Sequence, residues 1–203
     1  MKQAIAVAIS GKGRTLSNLL KEQEHHAYRV AGVISSSPNC AGNTIAKEAG
    51  IPIFVGDFSK GLCADDLYTW LQQLHIQWIA LAGFLKIFPL LPGFQNRIVN
   101  IHPALLPKFG GPGMYGMRVH QAVHQAMEQQ SGATIHFVSE KYDEGPIIAQ
   151  IPVNISGLSP EAIADKVFQA ECQLYPKVLD GLIKGSLPLH DESAFLMKPS
   201  TKG

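Results

Sequence analysis

The sequence predicts an α/β fold of doubly wound type, a mostly parallel twisted sheet with helices on both faces. Three observations predict it. The chain opens as an apolar run, residues 4–9, that passes through a glycine turn straight into Leu16, Leu19 and Leu20 at helical spacing. Short apolar runs and amphipathic stretches then alternate as far as Ala82, the pattern of parallel strands whose crossover helices cover both faces. Finally, 203 residues, 46% of them hydrophobic, supply a sizeable core for one domain rather than two.

The elements follow in order. After the strand at 4–9 and its helix, residues 30–35 form a second strand, ended by Ser35-Ser36-Ser37-Pro38-Asn39. A helix is expected over 44–49, stopping at Gly50, and a short strand over 51–55. Leu67, Trp70, Leu71 and Leu74 recur at helical spacing within 65–74, and 78–82 returns to strand. Prolines and glycines crowd 89–116, broken by a strand expected at 97–101. Such a loop-rich stretch marks either function or disorder, and Leu105, Leu106 and Phe109 speak against disorder. A helix is expected over 119–129, and strands over 133–139 and 147–153. Ser159-Pro160-Glu161 starts a last helix, with serine as N-cap and proline in the first position. It should run to about Leu174 or beyond, Pro176 kinking or restarting it. The tail after Leu189 has no periodicity and is expected to fray.

Composition narrows the partners. A formal net charge of +1 with no basic block gives no surface for nucleic acid. The apolar run at the start is too short for a signal peptide or a membrane span, so a cytoplasmic protein is expected. Cys40, Cys63 and Cys172 are too widely spaced for a disulfide framework or a Cys-x-x-Cys motif and read as reduced thiols. His120 and His124 lie four apart and share a helix face. The residues between them lack the glutamate of a zinc-protease motif, and no third ligand is evident, so no metal is expected. The adjacent pair His25-His26 reads as solvated.

Three segments carry possible chemistry. Gly11-Lys12-Gly13-Arg14-Thr15 joins the first strand to the first helix, where backbone N–H groups and the helix dipole favour an anion. It is neither a dinucleotide fingerprint nor a P-loop, and a plain tight turn explains it equally well. Asn100-Ile101-His102-Pro103-Ala104-Leu105-Leu106-Pro107 begins at a strand end, where open α/β sheets place ligands. Alternation sends Asn100 and His102 to one side, and an amide donor beside an imidazole suits acyl transfer. Glu140-Lys141-Tyr142-Asp143-Glu144-Gly145-Pro146 is a loop whose Asp143 could meet an imidazole and raise its pKa; the plain alternative is an acidic surface turn.

Ala80-Leu81-Ala82-Gly83-Phe84, the Asn100–Pro107 segment, Ala133-Thr134-Ile135-His136-Phe137-Val138, and Asp143-Glu144-Gly145-Pro146-Ile147-Ile148-Ala149-Gln150 resemble, in order and spacing, the folate-dependent formyltransferases. The similarity runs from about Ile5 to Leu189. It implies a single Rossmann-like catalytic domain over 1–189 with an antiparallel strand towards the C-terminal half, and a frayed tail over 190–203. Asn100, His102 and Asp143 would be the catalytic set, with 10-formyltetrahydrofolate as co-substrate and no metal. Leu81, Leu85, Lys86, Ile87 and Phe88, with Asn100, Glu140, Lys141 and Tyr142, would line the folate site, and Lys60 would face the folate's acidic tail. Asp143 would hold His102 protonated.

Within the family, the resemblance is to the branch that formylates the amine of glycinamide ribonucleotide. Gly11, Lys12, Gly13, Arg14 and Thr15 would bind its phosphate and Glu171 its ribose. The length fits that branch without the further domains of methionyl-tRNA formyltransferases or formyltetrahydrofolate deformylases. The turn departs from the usual Gly-Ser-Asn, and Gly110-Gly111-Pro112-Gly113-Met114-Tyr115-Gly116 is longer and richer in glycine than is usual. Small-molecule substrates and a monomer or homodimer are expected. Hydrolysis of the formyl donor, another amine acceptor, or a non-catalytic nucleotide-binding domain are the alternatives. The basic turn argues against the first, and the Asn100, His102, Asp143 set against the last.

Overall fold

A computed structural model describes residues 1–58 and 64–187, together with the short strand Phe195–Leu196. The opening apolar run is β1 (Gln3–Ile9), and its position explains its composition: Ile5 to Ile9 are wholly buried in the middle of the sheet. β2 (Tyr28–Ser35), β3 (Ile53–Val55), β4 (Trp78–Leu81), β5 (Ile98–His102), β6 (Gln130–Phe137), β7 (Ile147–Asn154) and β8 (Phe195–Leu196) complete an eight-stranded sheet in the order β3-β2-β1-β4-β5-β6-β7-β8. Among these strands β6 alone runs against the rest, antiparallel to both β5 and β7. The expected antiparallel strand is therefore present.

Alternation along β1 divides the core. Ile5, Val7 and Ile9 pack under α1 (Arg14–Glu22), α4 (Met117–Gln125) and α5 (Pro160–Lys184). Ala4, Ala6 and Ala8 face α3 (Ala64–Gln73) and a run of rings, Phe84, Phe88 and Phe94, from the segment after β4. That segment has no regular structure, yet its aromatic residues are buried, so it serves as a lid over one face of the sheet. A short helix, α2 (Gly42–Glu48), links β2 to β3. Among the described residues no helix is long and apolar enough to cross a membrane.

One helix is shorter than expected, and another takes the longer of its expected courses. α4 stops at Gln125 rather than 129, because Met127 adopts a left-handed φ of 52° and its N–H returns to His124, closing the helix so that β6 can begin at Gln130. α5 starts as expected, the Ser159 hydroxyl accepting the Ala162 N–H at 3.3 Å, and runs beyond Leu174 to Lys184 without restarting at Pro176. His26 is less solvated than its sequence suggests: it stacks on Tyr28 and its Nδ1 lies 3.7 Å from Asp180. Cys40 and Cys172 are free thiols, and Cys63, like the tail beyond 187 apart from β8, lies outside the described residues.

Candidate active site

The chain leaves β1 for β2 and β3 on one side, then returns to β4 on the other. The connections after β1 and β4 therefore lead to opposite faces of the sheet, the topology that places a crevice at the strands' C-terminal ends. A cavity of about 770 Å³ occupies it. Gly11 to Thr15, Leu81, Leu85 to Phe88, Asn100, His102, Lys141 to Asp143 and Glu171 all line this one space. Glu140 is exposed and does not, and Lys60 lies outside the described residues.

At its centre four polar side chains meet. Asn100 stands opposite His136 in the β5–β6 ladder, and its Nδ2 donates to His136 Nε2 at 3.0 Å and to Asp143 Oδ1 at 3.4 Å. His102 Nδ1 lies 3.4 Å from Asp143 Oδ2, while its Nε2 donates to the Phe109 carbonyl at 2.8 Å. Asp143 also accepts the Gly111 N–H at 2.9 Å. His136 Nδ1 donates to the Phe137 carbonyl at 2.8 Å, which leaves Nε2 bare to receive Asn100. The 3.5 Å approach of that same Nε2 to Asp143 would instead need a proton on it; the shorter bond to Asn100 governs the neutral ring.

The backbone holds these groups in place. Asp143 sits at φ 57°, a left-handed conformation that aspartate tolerates. Two residues on, a Cβ at Gly145 would run into the Phe137 carbonyl, so glycine there lets the loop fold back onto β6. The Thr134 hydroxyl donates to the Ala104 carbonyl at 2.7 Å and accepts the Leu106 N–H at 3.0 Å, tying down the loop that follows His102.

Burial changes the expected electrostatics. His102 titrates below the ordinary histidine value, because loss of solvent outweighs the Asp143 charge and the Phe109 carbonyl that favour its cation. Burial thus works against the expected imidazolium, which the Asp143 charge favours. Burial pushes the Asp143 carboxyl up, but the neighbouring His136 and His102 rings and the Gly111 N–H together hold it below the usual range.

The turn after β1 is built for close approach. Gly13 has φ 74°, and a Cβ there would lie 2.9 Å from the Gly42 Cα. The Gly11 carbonyl receives both the Gly42 N–H and the Cys40 thiol at 3.0 Å, which fixes the turn to α2. α1 begins without a side-chain cap, so its first N–H groups remain open at the cavity wall. The Arg14 guanidinium lies 3.8 Å above the Phe168 ring. Burial pushes the Glu171 carboxyl up to about 8, against the pull of Arg14. At the other end, Leu81 and Phe88 are buried, whereas Leu85 and Ile87 are exposed, 43% and 52%, and form a rim rather than an enclosed wall.

Among the lining residues that sequence alone did not assign to the site, three bear on its chemistry. His136 lies in a segment that carries the family resemblance, but its place opposite Asn100 depends on strand register. Phe168 shares a helix face with Glu171, a spacing of three that was visible yet uninformative alone. His120 is buried and lines the cavity, whereas His124 is exposed, so the two do not act as a pair. Among the described residues no cluster of His, Cys, Asp or Glu is placed to hold a metal ion.

Residues 3–179 match the family described as formyl transferase, and the chain belongs to that family. The chloroplastic phosphoribosylglycinamide formyltransferase of Arabidopsis thaliana is 34% identical over 97% of this chain and 71% of its own length. The phosphoribosylglycinamide formyltransferase of Haemophilus influenzae is 36% identical over 95% of this chain and 92% of its own. The crystal structure of phosphoribosylglycinamide formyltransferase from Anaplasma phagocytophilum superposes with a TM-score of 0.84 at 28% identity, covering 98% of this chain and all of the other.

Proposed function

We propose that this chain transfers a formyl group from 10-formyltetrahydrofolate to the primary amine of glycinamide ribonucleotide, a step of purine biosynthesis. The observation that carries this reading is the meeting of Asn100, His102 and Asp143 in one cavity whose far end is an uncapped helix start flanked by Lys12 and Arg14.

The phosphate binds the open N–H groups of Gly11 to Thr15 with Arg14, and Glu171 takes the ribose. The pterin lies against Leu81, Leu85, Ile87 and Phe88 with Lys86 and the loop Lys141 to Asp143. The amine attacks the formyl carbon, and the formyl oxygen gains charge. Asn100 Nδ2 gives up its weak 3.4 Å contact with Asp143 and donates to that oxygen, keeping the bond to His136 that orients it. His102 Nε2–H is committed to the Phe109 carbonyl, so Nδ1 is the nitrogen that takes the proton released by the amine. The carboxylate of Asp143 stabilises the imidazolium formed. The carbon–nitrogen bond to folate then breaks, and the proton passes to the departing nitrogen. The enzyme acts on small molecules, as a monomer or homodimer of the cytoplasm.

Consumption of 10-formyltetrahydrofolate, measured with glycinamide ribonucleotide, with other amines and with none, tests the reading. Turnover should depend on the ribonucleotide. Equal turnover with no amine would establish hydrolysis instead.

A further inference from the structure

His120 has no task in the mechanism above, yet it is set deep in the same cavity. It projects from α4, is 6% exposed, and shares the cavity wall with Arg14 and His102. It lines the same cavity as the helix start that suits a phosphate and the centre where the formyl group moves. Its Nδ1 is closed to solvent and has no hydrogen-bond partner. A buried bare nitrogen is tolerated more readily than a buried unmet N–H, so the ring's proton belongs on Nε2. The ring stays neutral, because burial and then His102 and Arg14 bring its pKa down to about 4. A neutral ring with its proton on Nε2 offers one fixed donor, suited to an uncharged oxygen. The phosphate is already served by Lys12, Arg14 and the start of α1.

We propose that His120 is an acceptor-binding residue whose Nε2–H donates to an uncharged oxygen of the ribonucleotide, a ribose hydroxyl or the amide carbonyl. By fixing the middle of the acceptor it sets how far the amine reaches towards Asn100 and His102. The proposal rests on the acceptor reading above and adds to it a residue that neither the turn nor the Asn100, His102, Asp143 set supplies.

The test uses the full chain with His120→Phe, which keeps the volume and removes the donor, and His120→Gln, which restores an N–H. The KM for each substrate is measured with the other saturating. In His120→Phe the KM for glycinamide ribonucleotide should rise about three- to tenfold, the loss of one neutral hydrogen bond, while that for 10-formyltetrahydrofolate stays put. His120→Gln should recover most of the difference. In wild type, the His120 Nε2 resonance should shift when glycinamide ribonucleotide is added and not when folate is added alone. An unchanged acceptor KM in a folded His120→Phe overturns the proposal, as does a rise confined to folate. Should that variant fail to fold, a His120 resonance unmoved by saturating ribonucleotide overturns it. Wild type inactive on glycinamide ribonucleotide would sink the acceptor reading itself and this proposal with it; active wild type with flat variants sinks the proposal alone.

Discussion

Asn18 on α1 donates its side-chain amide to the carbonyl of Cys172 across 3.2 Å, and that carbonyl is the one Pro176 leaves without a helical partner. A neighbouring helix thus satisfies the acceptor that proline orphans, and α5 passes through Pro176 without breaking. Asn18→Ala should lose about 1–2 kcal/mol of stability, the cost of leaving a buried carbonyl unmet. In a Pro176→Ala background, where an N–H is available again, the same substitution should cost less. Urea midpoints of the four proteins decide it; equal losses in both backgrounds would disprove the link.

Asn100→Ala should lower kcat about a hundredfold or more, as removal of one oxyanion donor does. Stability should change little, because the side chain faces the cavity. A folded variant with near wild-type turnover would remove Asn100 from the reaction.

His102 should titrate below about 6.5 in wild type, and lower still in Asp143→Asn, since the carboxylate is the largest influence favouring the cation. A folded pKa below the unfolded one means that the unfolded chain takes up the proton first, so this histidine's share of stability is present above about pH 6.5 and lost as pH falls. NMR titration of the His102 ring in both proteins is the measurement. A midpoint above 6.5 in wild type would mean that charge, not burial, rules the site.

Glu171 behaves in the opposite sense. Its folded pKa of about 8 lies above the unfolded value of 4.5, so the folded chain holds the extra proton between them and loses stability as pH rises through that window. Glu171→Gln should therefore stabilise the ligand-free protein by a few kcal/mol, on the order of 1.4 per pKa unit, at pH 8.5, and hardly at all at pH 4.5. Thermal melts at the two values check it, and equal shifts at both would contradict the burial argument.

What the sequence made legible was local. The strand, turn and helix at residues 4–22, the start at Ser159-Pro160, and the shared side of Asn100 and His102 all follow from periodicity and capping within a few residues. The rest depends on contacts between distant residues. That Asp143 meets His102 came from family resemblance, not from spacing, because the two lie in separate loops. His136 needed the β5–β6 register, which alternation alone cannot supply. The Asn18 donor that meets the carbonyl freed by Pro176 lies 154 residues away in sequence, and the direction of the His102 shift needed the sum of everything packed around it.

Asn100 and His136 face one another through the β5–β6 ladder, not through the residues that join the two strands. Their spacing is consequently insulated from the length of that connection. A residue gained or lost between 112 and 116 alters the rim of the cavity and hence what it admits. One inserted in β6 before His136 would turn that ring to the opposite face of the sheet and strip Asn100 of its orienting partner. Lengthening or shortening the loop is thus a route by which the fold can change acceptors while its chemistry stays as it is.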